Sequence, residues 1–258
     1  MFELPDEIKK LIKFCTEIDQ KIDAEPVYGD VKELVLPNYV SIVESYGESP
    51  CIKLPPPMRE LIKKDLYETI ISRRSCRNFA PKPLPVGVVS TLLYLSMGCT
   101  GWLIGGYSLR RYPLRSTPTS GGLNGIDLYL INRFNGDALP NGFFYYDFVN
   151  HELKVLYKGD PTVTILKLFR DQSFVESAPL WILLILNLVR GVWKYKTEYY
   201  RLGLLDAGVL MEQIHLVATA MDLCSCLIGG LDKKAARVAL GLEYWKIPVG
   251  AVAVGYKE

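Results

Sequence analysis

Apolar positions recur at helical spacing near the start of the chain, where Ile8, Leu11, Ile12, Cys15, Ile18 and Ile22 share one face after the acidic opening Pro5-Asp6-Glu7. That pattern predicts an amphipathic helix that covers a surface. From Asp23 to Pro57 the periodicity lapses among Pro26, Pro37, Pro50 and Pro55-Pro56-Pro57, which predicts an extended arm. Helical spacing returns from Met58 to Ser72 through Leu61, Ile62, Leu66, Ile70 and Ile71, and again from Pro85 to Ser96 with Gly98 as the stop. Residues 100–125 are rich in Gly, Ser, Thr, Pro and Arg and predict a long functional loop. Strands are predicted at Ile126–Ile131, Phe143–Tyr146, Leu153–Tyr157 and Trp181–Val189, with a short helix around Thr164–Phe169. Tyr199 to Leu223 is apolar almost all round, which predicts a helix buried on most sides, as at a dimer interface. Asp232 caps a helix that Gly241 ends, and Val249–Val254 forms a last strand. Strands and helices without regular alternation predict an α+β fold. The division expected is an N-terminal helix and arm over 1–57 and one folded domain over 58–258.

Composition refines this picture little: 49% hydrophobic and 22% charged residues describe a globular chain. A formal charge of +2 gives no general case for nucleic acid, but the basic residues cluster. Arg73, Arg74 and Arg77 form one knot, Arg110, Arg111 and Arg115 a second, and Arg190, Lys194 and Lys196 a third, which suggests anionic ligands at discrete places. No secretory signal opens the chain, and the apolar run from Ala178 to Val189 is short of the ~20 residues that cross a bilayer. A cytoplasmic protein without a membrane segment is expected. The six cysteines read as reduced thiols, and two histidines without paired spacing leave no metal site expected.

Forked guanidiniums and a hydroxyl at Arg73-Arg74-Ser75-Cys76-Arg77 suit a phosphate, although from charge alone a solvated basic face is the commoner outcome. Three glycine-containing turns keep it company, at Gly98–Gly101, Arg115–Gly122 and Ile228–Gly230. Arg73 to Phe79 resembles the R-R-S-x-R-x-F opening of the nitroreductase superfamily. Later segments resemble the SagB-type dehydrogenases within it: Ile52–Pro57, Arg115–Gly122 before Asp127-Leu128-Tyr129, Phe144–Asp147 with His151-Glu152-Leu153, Lys194-Tyr195, Asp206-Ala207-Gly208 and Leu227–Gly230. The resemblance spans about residues 50–258.

It implies a nitroreductase-like α+β fold, with a central, mostly antiparallel sheet flanked by helices, and an intertwined homodimer with FMN at the interface. Arg73 and Ser75 would then meet the FMN phosphate and ribityl chain, with Arg74 beside them and Arg77 near the pyrimidine edge. Pro118, Thr119, Ser120 and Gly122 would approach the ring from the second subunit, and Leu227, Ile228, Gly229 and Gly230 would form the turn at its reactive edge. Lys194 and Tyr195 match a pair associated with azoline oxidation, where a hydride leaves for FMN and a nearby base takes a proton. On residue grounds alone they read equally as a solvated lysine at a strand end beside a packing tyrosine. The expected function is therefore a flavoprotein dehydrogenase acting on azoline heterocycles in peptides. The alternatives are a general NAD(P)H-dependent nitroreductase or quinone reductase, and a non-catalytic subunit of a peptide-modification complex. Departures from the pattern fall at Asn124-Gly125, Val209 and Glu212-Gln213, close to the expected pocket. His151 and His215 read as structural.

Overall fold

Alternation along the strands divides the protein into three layers. The structure, a computed structural model, describes residues 6–21, 32–169, 172 and 177–258. The parts of the expected N-terminal helix and arm at 1–5 and 22–31 lie outside the described residues. The helices are α1 (Asp6–Lys21), α2 (Leu66–Ser72), α3 (Val86–Met97), α4 (Thr162–Leu168), α5 (Val192–Tyr195), α6 (Glu198–Ala220) and α7 (Lys233–Leu240). The strands are β1 (Cys51–Lys53), β2 (Cys99–Ile104), β3 (Arg111–Arg115), β4 (Ile126–Asn132), β5 (Gly142–Asp147), β6 (Glu152–Lys158), β7 (Leu180–Asn187), β8 (Cys224–Ile228) and β9 (Lys246–Gly255). Seven of them form one sheet in the order β1-β6-β5-β4-β7-β9-β8, every neighbouring pair antiparallel. This is the expected α+β arrangement.

Both faces of the sheet are covered, so its central strands are apolar at every position rather than at alternate ones. Leu128, Leu130, Ile182, Leu184, Val252 and Val254 point to the side of α3 and α6. Tyr129, Ile131, Trp181, Leu183, Ala251 and Ala253 point to the side of α4 and α7. Within the first layer, α6 packs on α3, β8 and β9 and carries an apolar face into the core at Leu210, Ile214 and Ala218. Its opposite face is open: Leu204, Leu205, Gly208, Val209 and Glu212 are exposed. Among the described residues α6 alone is long and apolar enough to cross a membrane, and 56% of its apolar window is buried inside the fold.

Two predicted elements differ in the structure. The helix read from Met58 to Ser72 is broken at 62–65, because Asp65 caps a new helix: its carboxylate accepts from Glu68 N at 2.8 Å while the Glu68 side chain returns to the Asp65 amide. The predicted loop over 100–125 begins instead with a hairpin of β2 and β3, where Trp102 pairs with Pro113. The Pro113 in its second strand masks the pattern, and its edge is covered on one side by Arg111, whose guanidinium lies 3.8 Å from the Trp102 ring centre. Strands β1 and β8 carry no separate signal in the sequence. The face of α1 that was expected to cover a surface is itself exposed at Leu11, Ile12 and Ile18.

The arm is bound to the body by charge. Arg190, 1% exposed, donates to Asp127 on β4 (2.8 Å), to Glu44 (3.1 Å) and to the carbonyls of Ser41 (2.9 Å) and Asn124 (2.8 Å). Glu44 also accepts from Lys246 at 2.6 Å. A buried guanidinium is tolerable only when so fully partnered. Of the third basic knot, Arg190 is thus neutralised within the fold. The cysteines also depart from expectation, since Cys76 and Cys224 are joined in a disulfide, their Cα atoms 5.4 Å apart. They are 148 residues apart in the chain, a proximity that only the pairing of the arginine segment with β8 creates.

Candidate active site

Helix α2 ends at Arg73, whose φ of −55° and ψ of 126° turn the chain out of the helix. The segment then runs beside β8: Ser75 pairs with Ser225, the Cys76 amide donates to the Ser225 carbonyl at 2.9 Å, and Phe79 is buried. Arg73 is half-buried, 3.8 Å from Glu212 of α6, while Ser75 and Arg77 are exposed. Arg74 turns back and donates to the carbonyls of Ile71 (3.1 Å) and Arg73 (2.6 Å), so it caps α2. Strand β8 continues through Leu227 and Ile228 into Gly229 and Gly230, both exposed. A Cβ at Gly229 would meet nothing within 4 Å, which leaves its backbone open to a ligand. The arginine segment and the glycine turn therefore share one ladder.

A second group forms nearer the N-terminus of α6. The loop through Pro118, Thr119, Ser120 and Gly122 is held from below by Asp206, which accepts from the Ser120 amide at 3.0 Å and its hydroxyl at 2.8 Å. Burial pushes the Asp206 carboxyl up, and the Ser120 hydrogen bonds oppose that push. Tyr107 donates to the Gly121 carbonyl and Tyr112 to that of Gly122, the latter at 2.8 Å. Gly121 sits at a φ of 59°, and a Cβ there would fall 2.5 Å from the Tyr195 hydroxyl and 3.1 Å from Lys194 Nζ. Lys194 and Tyr195 thus converge on one glycine of the loop.

Lys194 is 4% exposed, on the single turn of α5 rather than at a strand end. Its Nζ donates to Tyr107 Oη at 3.3 Å and lies 5.4 Å and 5.2 Å from the Tyr107 and Tyr195 ring centres. Among the described residues no carboxylate is paired with it, and burial pushes its ammonium below the ordinary lysine range. The Tyr195 ring stacks on Tyr199, centroids 6.3 Å apart at 7°. Gly125 and Gly191 make room for Tyr199: a Cβ would come within 1.9 Å of its hydroxyl at Gly125 and 2.0 Å of its ring at Gly191. That packing accounts for glycine at position 125, one of the departures from the family pattern. Arg115, of the second basic knot, points inward to the Ile126 carbonyl at 3.1 Å; its Nε and Nη2 are buried without a partner. Burial lowers its pKa to about 10. His151 lies between Ser90 (2.8 Å), Tyr146 (2.9 Å) and the Pro55 carbonyl, and His215 contacts the Arg74 carbonyl.

The two groups attach to α6 at different levels, Asp206 for the loop and Glu212 for the arginine segment. Six residues of helix separate them, about 9 Å along the axis. Gly208 and Val209 are exposed between them, and Leu204 and Leu205 are exposed just before Asp206. The sequence picked out Lys194, Tyr195 and the loop, but it did not single out Tyr107 or the role of Asp206. A buried aspartate in an apolar helix was the one available sign.

The residues present suit a flavin phosphate. Two outward guanidiniums, a hydroxyl and an open glycine turn stand along β8, and the Ser225 hydroxyl beside them is buried without a partner.

Comparison with known proteins gives this arrangement a context. A Methanocaldococcus jannaschii protein described as a nitroreductase is 20% identical over 207 residues, covering 79% of this chain and 98% of its own length. The trifolitoxin operon protein TfxC of Rhizobium leguminosarum bv. trifolii is 23% identical over 205 residues, 74% of this chain and 55% of TfxC. A solved structure from Ralstonia eutropha, described as a nitroreductase, superposes with a TM-score of 0.67 at 26% identity, covering 91% of this chain and 98% of the other. The Escherichia coli microcin synthetase McbBCD complex, solved with truncated pro-MccB17 bound, contains a chain of the same fold: TM-score 0.60, 17% identity, 99% and 95% covered. The nitroreductase family profile matches residues 70–256, from the end of α2 through β9 and so across both groups of candidate residues, and the chain belongs to the nitroreductase family.

Proposed function

We propose that the protein is an FMN-dependent dehydrogenase of the SagB type, a cytoplasmic homodimer that oxidises an azoline ring carried by a peptide. The observation that carries the reading is Lys194: a buried amine with no carboxylate partner among the described residues, set against Tyr195 and a glycine of the loop. The similarity to TfxC and the shared fold with a microcin synthetase subunit support a peptide substrate. The placement of the two groups at different levels of α6, on a helix whose Leu204, Leu205 and Val209 are exposed, supports a site completed by a second copy.

Arg73, Ser75 and Arg77 would hold the FMN phosphate and ribityl chain, and the amides of Leu227 to Gly230 would face the ring. Pro118, Thr119, Ser120 and Gly122 would approach from the second copy. Bound FMN would supply the two-electron acceptor for a hydride leaving a ring carbon of the azoline. Lys194, whose ammonium is disfavoured by burial, would in its amine form take the proton released from the neighbouring ring position as the ring becomes aromatic. Tyr195, fixed by stacking on Tyr199, orients that ring against the amine.

The purified protein is expected to be yellow, with about one flavin per subunit. Arg73→Ala removes a charge-assisted contact of ~1.5–3 kcal/mol and so weakens flavin retention about 10- to 100-fold. Lys194→Ala keeps the colour and loses turnover of an azoline peptide. The match to the Methanocaldococcus protein over nearly its whole length favours a second reading, a general NAD(P)H-dependent reductase. Anaerobic mixing with NADH or NADPH separates the two: rapid bleaching of the flavin overturns azoline oxidation as the main activity. A colourless protein overturns both and leaves a non-catalytic subunit.

A further inference from the structure

We infer that Tyr107 is the positioning residue of the Lys194 amine, holding one of its N–H bonds and so keeping its lone pair off the phenol direction. The inference concerns geometry within this chain and takes its catalytic meaning from the azoline-oxidase reading. Tyr107 lies within the family's span, residues 70–256, but in none of the motifs that carry the resemblance. Its backbone is left-handed, at φ 51° and ψ 36°, between Gly105 at 75° and Ser108 at 60°. A residue with a Cβ avoids this region unless its surroundings hold it there.

What the turn achieves is to drive the phenol into the interior. The side chain is 1% exposed, clamped edge-on by Tyr112 (5.1 Å) and Trp193 (5.9 Å), and the arm ties the turn down through the Leu36 amide, 3.2 Å from the Tyr107 carbonyl.

A phenol has one proton, and Tyr107 gives it to the Gly121 carbonyl, which can only accept. Toward Lys194 the phenol oxygen is therefore an acceptor alone, and Nζ must donate to it at 3.3 Å. An ammonium or an amine can do so. In the amine, however, the lone pair is excluded from the Tyr107 direction and left to the rest of the Nζ surroundings, which include Gly121 and the Tyr195 ring. Tyr107 itself does not act as a base, since burial pushes its hydroxyl above the ordinary tyrosine range. The titratable groups of the surrounding elements are Tyr112 and Arg115 on β3, Arg190, Tyr195, and Tyr199 and Asp206 on α6. Arg190 is bound to Asp127 and Asp206 to Ser120.

The test is a carbon-13 NMR titration of the whole protein labelled at lysine Cε, with Lys194→Arg identifying the Lys194 signal. Because an accepted hydrogen bond favours the ammonium, Tyr107→Phe is expected to lower the Lys194 titration midpoint by about half a unit or more. Tyr107→Gln, which offers an acceptor to Nζ and a donor to Gly121, is expected to restore it toward the wild-type value. Tyr107→Leu replaces Tyr107→Phe if the latter does not fold. A Lys194 midpoint unchanged by loss of the hydroxyl overturns the inference. This measurement needs neither flavin nor substrate, so it can fail while Lys194→Ala still abolishes azoline turnover, and it can succeed where that assay fails.

Discussion

Gly121→Ala tests the convergence of Lys194 and Tyr195 without altering either residue, and Gly122→Ala supplies its control. Both glycines are left-handed, at φ 59° and 68°, so an alanine at either position incurs about 1–2 kcal/mol of backbone strain. They differ in what the new methyl meets. At Gly122 it meets nothing within 4 Å, whereas at Gly121 it meets the Tyr195 hydroxyl at 2.5 Å, Lys194 Nζ at 3.1 Å and Tyr195 Cε2 at 3.2 Å. The Tyr195 ring has little room to retreat, because it stacks on Tyr199, itself enclosed by Gly125 and Gly191. Overpacking of this kind costs about 1–3 kcal/mol, so Gly121→Ala is expected to melt about 2–12 °C below Gly122→Ala. Thermal melts of the two variants by circular dichroism provide the comparison. Equal melting temperatures, within about 1 °C, would refute the packing of Lys194 and Tyr195 on Gly121.

Lys194→Met is expected to raise the melting temperature, because the fold disfavours the ammonium that the unfolded chain carries freely. The folded pKa of Lys194 lies below its unfolded value, so the wild type is penalised at pH values below the ordinary lysine range. The advantage of Met is therefore largest near neutral pH and below, and fades as pH rises toward 10; melts across that range decide it. Asp127→Asn strips the buried Arg190 of its nearest carboxylate and is expected to cost about 3–5 kcal/mol, about 6–20 °C in melting temperature. A change under about 1 kcal/mol in a denaturant titration would contradict the network described for the arm. Finally, protein denatured without reductant should titrate four thiols, those of Cys15, Cys51, Cys99 and Cys226, and six after reduction. Six from the outset would disprove the Cys76–Cys224 pairing.

Elements with punctuation at both ends could be read directly from the sequence. Pro85 and Gly98 bracket α3, and Asp232 and Gly241 bracket α7, the latter with its capping bond at 2.9 Å and a left-handed stop. The central strands were legible because both faces are buried and their composition is continuous. The hairpin of β2 and β3 was not, since Pro113 and neighbouring glycines imitate a loop. The break before α2 had its signal in Asp65 and Glu68, a capping pattern overridden by the apolar spacing around it. Of the candidate site, motif residues could be named but not their environments. Whether a lysine is solvated or buried depends on which loop folds over it, and for Lys194 that is the turn at Tyr107, far away in sequence. Charge clusters were the poorest guide, because neighbouring basic residues point in different directions once the chain folds.

The order of strands in the sheet also governs how the chain can assemble. Strand β9 lies between β7 and β8, so β8 has no neighbour in the sheet until β9 is added. During synthesis the ribosome releases β4 to β7 first, with the apolar edge of β7 exposed for the time needed to make the next sixty or so residues. A nascent chain arrested before Lys246 would present that edge to any strand it encountered. Chaperone dependence and aggregation during expression are therefore expected to rise or fall with how quickly this one strand emerges and closes the seam.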